Sequence, residues 1–457
     1  MKKYLLPLLL VIISHSNFAQ SEKQHLKTID QFLIEEYPKN EPGAAVLIAK
    51  NGKIIFEEAY GLASLEPKRK LKKDMVFQIG SMTKQFVSTA ILQLVEEGKM
   101  NLSDTIQKYV PYYPTKAHSI TIHHLLSQTS GIPDYFDVDD NEFYLLAQEH
   151  TPQQLINYYK GEPLTFKPGS QWNYSNSNYP LLGAALEQVT GQSLKDYLRT
   201  HIFEPLGMTS SGLWYPENIK KNRIPVGYNE KNGKVYPGPK IVGSALYAPG
   251  GIVSTVQDLL LWNRALVQKT VISEFVIEQL TTEKTIDSGE GTGYGYGFFI
   301  KNLKGSPTIQ HGGNLFGYTS SGLYLPNEDL FICILANRKF DRTEELANYL
   351  ASVLLNNPIE IFSKKEISYE QLQDYIGIYE LQSEELSRTF EIKLYDNQLL
   401  LSDPKAPAND ALLTPSDKDI FILKAVNASF KFQRNEKAEV VGFKVMQEET
   451  YTFKKVK

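Results

Sequence analysis

The sequence of 457 residues contains one cysteine, Cys333, so neither an intramolecular disulfide nor a cysteine-based zinc site can form. Cys333 lies in the apolar run from Leu330 to Ala336, which predicts a buried strand. The sequence also has no large excess of either charge, because it contains 48 basic and 52 acidic residues and its formal net charge is −4. The sequence therefore offers no basic surface for nucleic acid, and we expect no nucleic-acid partner.

Histidines are few as well: there are eight, they are scattered, and none forms a His-Glu-x-x-His motif. The acidic segment from Asp137 to Asn141 begins like a calcium loop, but Glu142 and Gln148 stand where that loop needs glycine and glutamate. We expect a solvated acidic loop there. The sequence predicts no metal site and no cofactor.

The N-terminus has the pattern of a secretory signal peptide. Lys2 and Lys3 precede nine apolar residues, Leu5 to Ile13, and a polar segment that ends at the small residue Ala19. Nine residues are too few for a membrane span, which needs about 20. We expect residues 1–20 to be a signal peptide and the mature protein to be periplasmic or secreted, without a stable membrane span. The alternative is a buried N-terminal helix.

Residues 21–355 are predicted to form an α+β domain. Asn51-Gly52 between two apolar runs indicates a β-hairpin, and apolar residues recur at helical spacing from Ser81 to about Glu97. Further helical patterns follow, and strands return from Gly317 to Ala336. This order predicts an antiparallel sheet that takes strands from both ends of the domain and is flanked by helices.

The C-terminal residues follow a different period. After a linker at residues 356–365, side chains alternate between apolar and polar, as at Phe390, Ile392 and Leu394. Such alternation is typical of strands with one buried face. Residues 366–457 are therefore predicted to form a separate antiparallel β domain, a small barrel or a sandwich.

Three short motifs could carry chemistry. In the first, Ser81 lies at a strand-to-helix junction and Lys84 follows one turn later, so an amine could activate a hydroxyl nucleophile. Without that chemistry, Ser81 would be an N-cap and Lys84 an exposed side chain.

The second motif is the polar aromatic segment from Trp172 to Tyr179, which lies before a helical pattern. Tyr174 could shuttle a proton, and the Asn176 amide could bind a substrate amide. The alternative is a helix-capping loop with a packed aromatic side chain.

The third motif is His311-Gly312-Gly313-Asn314, whose glycines would let a strand approach a ligand, or would simply form a turn or bulge. A further glycine-rich segment, Gly293 to Gly297, lacks the spacing of a dinucleotide loop and is predicted to be a flexible strand rim.

Taken in this order, Ser-x-x-Lys, Tyr-Ser-Asn and His-Gly-Gly resemble the motifs of the class C β-lactamase and penicillin-binding-protein superfamily of serine hydrolases. The flanking segments Pro42 to Ile48, Phe77 to Lys84, Ile122 to Gly131 and Pro249 to Thr255 also look like segments of that family. The resemblance covers about residues 25 to 355. It implies a β-lactamase/DD-peptidase-like fold with an all-helical subdomain, and the C-terminal part resembles the lipocalin-like domains of some members.

The resemblance also implies a role for each motif residue. Ser81 would be the acylated nucleophile, and Lys84 and Tyr174 would transfer protons. Substrate would be bound by Asn176 and by the strand that carries the third motif. On that strand, His311 and Gly313 would edge the site, and the backbone N–H of Asn314 would form an oxyanion hole with that of Ser81.

His311 departs from the class C β-lactamases, which have lysine at this position. The departure shifts the expected activity toward a D-alanyl or D-amino-acid peptidase or an esterase, acting on a small molecule or a peptide. A neutral histidine could still donate one hydrogen bond, and it would gain a positive charge near pH 6. The alternatives are a β-lactamase proper and a non-catalytic exported sensor of peptidoglycan fragments on the same scaffold.

Overall fold

The computed structural model describes residues 5–138, 147–215, 217–231, 234–269, 271–339, 342–359, 367–383, 388–395, 398–404, 411–423, 428–446 and 450–457. The chain divides into two compact units, Met1–Ile359 and Glu360–Lys457. This division falls within the residues assigned above to the linker. The acidic segment compared with a calcium loop lies outside the described residues from position 139 onward.

The first unit is built on a six-stranded antiparallel sheet that takes strands from both ends of the domain, as predicted. Its strands, in spatial order, are Phe299–Leu303, Ser306–Leu315, Tyr318–Leu325, Leu330–Ala336, Ala44–Lys50 and Lys53–Tyr60. The turn at Asn51-Gly52 has positive φ at both residues. Cys333 is fully buried in the middle of the sheet, where burial raises the pKa of its thiol.

Helices cover the sheet and form the helical part of this unit. Their bounds are Leu5–Glu36, Thr83–Glu96, Ile122–Leu126, Pro152–Tyr159, Asn178–Thr190, Leu194–Leu198, Gly243–Gly250, Val256–Gln268, Glu274–Thr281 and Thr343–Leu354. Helix Thr83–Glu96 is almost wholly buried, so its N-terminal turn is held firmly in the core. Short strands of two to four residues form small two- and three-stranded sheets that complete the unit: Leu62–Ser64, Arg69–Lys70, Phe77–Gln78, Gly212–Leu213, Tyr228–Lys231, Lys234–Pro237 and Ile252–Ser254.

The N-terminal helix Leu5–Glu36 runs without a break through the predicted signal-peptide boundary. In its second half Ile29 and Leu33 are fully buried, and the Tyr60 hydroxyl donates a hydrogen bond to Asp30 at 2.6 Å. Among the described residues, no helix is both long and apolar enough to cross a membrane. The signal peptide and export stay predictions.

The second unit is a closed barrel of eight antiparallel strands, which confirms the predicted β domain as a barrel rather than a sandwich. The strands are Gly377–Leu381, Thr389–Tyr395, Gln398–Ser402, Ala411–Asp417, Ile420–Leu423, Ala428–Arg434, Val440–Met446 and Thr450–Lys455. A short helix, Tyr369–Leu372, precedes them. Aromatic rings fill the interior, where the Phe443 centroid lies 4.8 Å from that of Phe453 and 5.3 Å from that of Phe432.

Candidate active site

Ser81 lies in a tight turn between a short strand and the buried helix. Strand Phe77–Gln78 is followed by the 3-10 turn Gly80–Met82, and the α-helix begins at Thr83. The predicted start of the helix at Ser81 is therefore wrong by two residues. The cause is Gly80, whose φ of +52° bends the chain in a way that a side chain would disfavour. Ser81 is partly exposed, as a nucleophile must be.

The Lys84 amine makes three hydrogen bonds within the site. It lies 3.1 Å from Ser81 Oγ, 2.8 Å from Asn176 Oδ1 and 2.9 Å from the Pro249 carbonyl oxygen. The rings of Tyr174 and Tyr179 lie 4.9 and 5.1 Å from it. An exposed lysine was the alternative to a catalytic one, and the structure rules it out because Lys84 is fully buried.

The environment of Lys84 favours the neutral amine. Burial lowers its pKa from 10.5 to about 7, and the negative charge of Asp134 offsets part of that effect. The amide and carbonyl oxygens can only accept hydrogen bonds, so they use two N–H bonds of the amine. A neutral amine then has its lone pair available for the Ser81 hydroxyl, which can donate. With a pKa of about 7, Lys84 can exchange between the neutral and the charged form near neutral pH.

Tyr174 packs beside Lys84 with its hydroxyl oxygen buried. The hydroxyl makes no hydrogen bond within normal limits to any group of the described residues. Burial raises the Tyr174 pKa well above its usual value, and the nearby Ser81 hydroxyl opposes this effect. The ring stacks on Phe299 with centroids 6.3 Å apart. Tyr174 is therefore held as a neutral phenol, which can donate a proton.

Asn176 is fixed by Asp134, a residue that the sequence analysis did not single out. Asp134 Oδ2 accepts hydrogen bonds from the backbone N–H of Asn176 at 2.9 Å and from its side-chain Nδ2 at 2.7 Å. Because Nδ2 faces a carboxylate, the Asn176 carbonyl oxygen must face Lys84. The only available signal was the position of Asp134 shortly after the family-like segment that ends at Gly131.

His311 is buried on strand Ser306–Leu315, and the expectation that it gains a charge near pH 6 is wrong. Burial and the nearby Lys84 charge lower its pKa to about 3. Its Nδ1 lies 2.6 Å from the Gly312 carbonyl oxygen, which can only accept, so Nδ1 carries the proton. The hydrogen bond that a neutral His311 was expected to offer to substrate is therefore already used.

Gly313 and Asn314 bring this strand against the Ser81 turn. A Cβ on Gly313 would lie 2.1 Å from the Ile79 carbonyl oxygen, so only glycine permits this approach. A Cβ on Gly80 would lie 3.2 Å from the Asn314 backbone nitrogen. The structure thus brings the Asn314 backbone N–H beside the turn that carries Ser81. All seven site residues inferred from the sequence lie in this one region.

The segment Gly293 to Gly297 is packed, and the prediction of a flexible rim is wrong. Tyr294 is fully buried and Tyr296 nearly so. The Tyr294 ring lies edge-on to the rings of Tyr174 and Phe299, with centroids 6.4 and 4.9 Å away. Sequence periodicity could not show the contact with Tyr174, because Tyr174 comes from a different part of the chain than Tyr294 and Phe299.

Comparison with known proteins places the first unit in one family. The beta-lactamase family model matches residues 31–355. A penicillin-binding protein of Bacillus subtilis (strain 168) is 28% identical over 451 residues, which cover 92% of this chain and 95% of that protein. Protein flp of Staphylococcus aureus (strain NCTC 8325 / PS 47) is 30% identical over 323 residues, 69% of this chain and 64% of flp.

Solved structures agree with this placement. The octameric penicillin-binding protein homologue from Pyrococcus abyssi aligns with a TM-score of 0.69 and 25% identity, over 94% of this chain and 99% of that one. D-amino acid amidase from Ochrobactrum anthropi SV3 has the same fold, with a TM-score of 0.63 and 22% identity over 72% of this chain and 99% of that one.

The fold and the arrangement around Ser81 define a serine hydrolase related to penicillin-binding proteins. The chain belongs to the beta-lactamase family.

Proposed function

We propose that this protein is an exported hydrolase that forms an acyl-enzyme on Ser81 and cleaves an amide or ester bond of a small D-amino-acid compound or peptide. The observation that carries the proposal is the set of three contacts around the Lys84 amine. Two contacts are to oxygens that only accept, so the third leaves the lone pair for the Ser81 proton. A structural lysine would instead pair with a carboxylate, and Lys84 forms no ion pair with the described ones.

In the proposed reaction, Lys84 Nζ takes the proton from Ser81 Oγ as Oγ bonds to the substrate carbonyl carbon. The negative oxygen that forms is held by the backbone N–H groups of Ser81 and Asn314. The C–N or C–O bond then breaks, and the leaving group takes a proton from the neutral Tyr174 phenol. The protonated Lys84 amine then returns a proton to the Tyr174 oxygen. Water then attacks the ester on Ser81 by the same proton transfers, which releases the substrate's acid and frees the Ser81 hydroxyl.

The electrostatics of the site support substrates without a carboxylate next to the scissile bond. His311 is neutral over the working range and its N–H is used by Gly312, so it cannot hold a carboxylate. Solved structures with this fold include a D-amino acid amidase and a D-stereospecific amidohydrolase. We therefore propose an amide or ester without a carboxylate beside the scissile bond as the preferred substrate class, with β-lactams acylating slowly.

The experiment treats the purified protein with a fluorophosphonate and locates the adduct by mass spectrometry. We expect one adduct, on the peptide that contains Ser81, and none on the Ser81→Ala variant. Substrate panels of p-nitrophenyl esters, D-alanyl peptides and a chromogenic cephalosporin then rank the activities. Labelling without turnover of any substrate would indicate the non-catalytic sensor, and faster turnover of the cephalosporin would indicate a β-lactamase. Labelling elsewhere would refute the proposal.

A further inference from the structure

A cavity of about 270 Å³ is lined by residues of the sheet and of the helices Val256–Gln268 and Glu274–Thr281, and its lining does not include Ser81, Lys84 or Tyr174. Most of its wall is apolar. Its lining includes Met82, Gln85, Trp262, Asn263, Leu266 and Val267. Met82 directly follows Ser81 in the chain, and Gln85 directly follows Lys84. The cavity therefore shares a wall with the proposed catalytic turn.

Gln85 gives this apolar cavity a fixed polar group. Trp262 Nε1 donates a hydrogen bond to Gln85 Oε1 at 2.8 Å. An indole N–H can only donate, so the other end of the Gln85 amide must be its NH₂ group. Gln85 is only 2% exposed, and its NH₂ group donates to no group in the described parts of the chain. This nitrogen is not among the fully buried unpaired atoms, so it can donate a hydrogen bond to a molecule inside the cavity.

The other polar groups of the wall do not favour a charged occupant. Asn263 is 3% exposed, and its Oδ1 is buried without a partner among the described residues. Lys269 also lines the cavity, but its amine pairs with Glu274. A buried carboxylate would thus lack a free cation, whereas a neutral carbonyl needs only a donor such as the Gln85 NH₂ group.

The volume sets the size of the occupant. An engineered apolar cavity of about 150 Å³ holds one benzene molecule. By that scale this cavity has room for about ten non-hydrogen atoms. We infer that it is a binding site, separate from the catalytic cleft, for a small neutral molecule with an apolar body and one carbonyl acceptor.

The test measures binding of 4′-fluoroacetophenone to the full chain by fluorine NMR. Its aryl ring and single carbonyl match the inferred class. We expect a dissociation constant of about 1 mM or lower, as ten well-buried atoms allow. The Ser81→Ala variant should bind equally well, which separates this site from the proposed function. The analogue without the carbonyl, 1-ethyl-4-fluorobenzene, should bind about fivefold more weakly because it leaves the Gln85 donor unpaired.

Val267→Phe fills the cavity from a partly exposed wall position and should weaken binding of the ketone at least tenfold. Val271→Phe is the matched control, since Val271 is 37% exposed and does not line the cavity, and it should bind like the wild type. If Val267→Phe lowers the melting temperature of the protein, Leu266→Phe is used in its place. Binding that is absent, insensitive to both filling variants, or equal for the two probes would overturn the inference. A cavity that holds only water would appear as the first of these results.

Discussion

Asp134 is expected to set the pH at which the site becomes active, and Asp134→Asn tests this directly. The carboxylate is linked to the Lys84 amine through Asn176, whose side chain contacts Asp134 at 2.7 Å and Lys84 at 2.8 Å. Its negative charge raises the Lys84 pKa against the larger, opposite effect of burial. Asparagine keeps an oxygen that can accept both hydrogen bonds from Asn176, but it removes the charge.

The size of the effect follows from this geometry. The two hydrogen bonds and the width of one amide put the charges roughly 7 Å apart, which gives about 2 kcal/mol at an effective dielectric constant of about 20. Since about 1.4 kcal/mol corresponds to one pH unit, the upper limit of the shift is about 1.5 units. Asp134 is partly exposed and therefore partly screened, so we expect about 1 unit.

The assay is kcat/KM for a p-nitrophenyl ester between about pH 5 and 9. The base must be neutral, so activity should rise with pH through the Lys84 pKa of about 7 in the wild type. In Asp134→Asn the rise should move to about pH 6, with a plateau within about threefold of the wild type. Removing a nearby negative charge can only lower the pKa of an amine. A pH profile of Asp134→Asn whose rising limb stays in place or moves to higher pH would refute the reasoning.

Two controls separate charge from positioning. Asp137→Asn removes a carboxylate of the same loop whose side chain is exposed, and it should leave the limb unchanged. Asp134→Ala removes the charge and both hydrogen bonds that hold Asn176. It should shift the limb like Asp134→Asn and also lower the plateau by about tenfold or more, because the amide that positions Lys84 is released.

Three further predictions concern the proton-transfer pair, His311 and the division between the two units. Lys84→Ala and Tyr174→Phe should each lower kcat by about 10² or more, and the double variant should lose less than the product because the two groups act together; strictly multiplicative losses would indicate independent roles. The His311 imidazole should show no NMR titration above about pH 5, because burial lowers its pKa to about 3, and a transition near pH 6.5 would contradict this. A chain that ends at Ile359 should stay folded and be labelled by a fluorophosphonate, whereas insolubility of that chain would show that the barrel supports the first unit.

The fold was predictable where local pattern and global topology agree. The period-two alternation at Phe390, Ile392 and Leu394 correctly indicated strands, and a closed barrel accommodates them. The apolar run around Cys333 correctly indicated a buried strand. The start of the buried helix was harder, because the positive φ of Gly80 just before it does not show in the pattern of apolar residues.

The site was predictable as a set of groups but not as an electrostatic unit. Three short motifs identified Ser81, Lys84 and Tyr174, since each motif has a recognisable spacing. Asp134 escaped notice because a single loop carboxylate has no spacing to recognise, and its importance comes from one contact with Asn176. The packing of Tyr294 against Tyr174 is likewise a long-range contact that a local pattern does not record.

His311 shows why residue type alone misjudged the charge of the site. An isolated imidazole titrates near pH 6.5, which led to an expected cation in mild acid. In the folded protein the rings of Phe299, Tyr174 and Tyr294 surround it, with centroids 5.1 to 6.2 Å away. The same burial keeps His311 neutral and brings the Lys84 pKa to about 7. A second cation beside Lys84 would lower that pKa further, so a neutral histidine lets Lys84 be the titrating base of the site near pH 7.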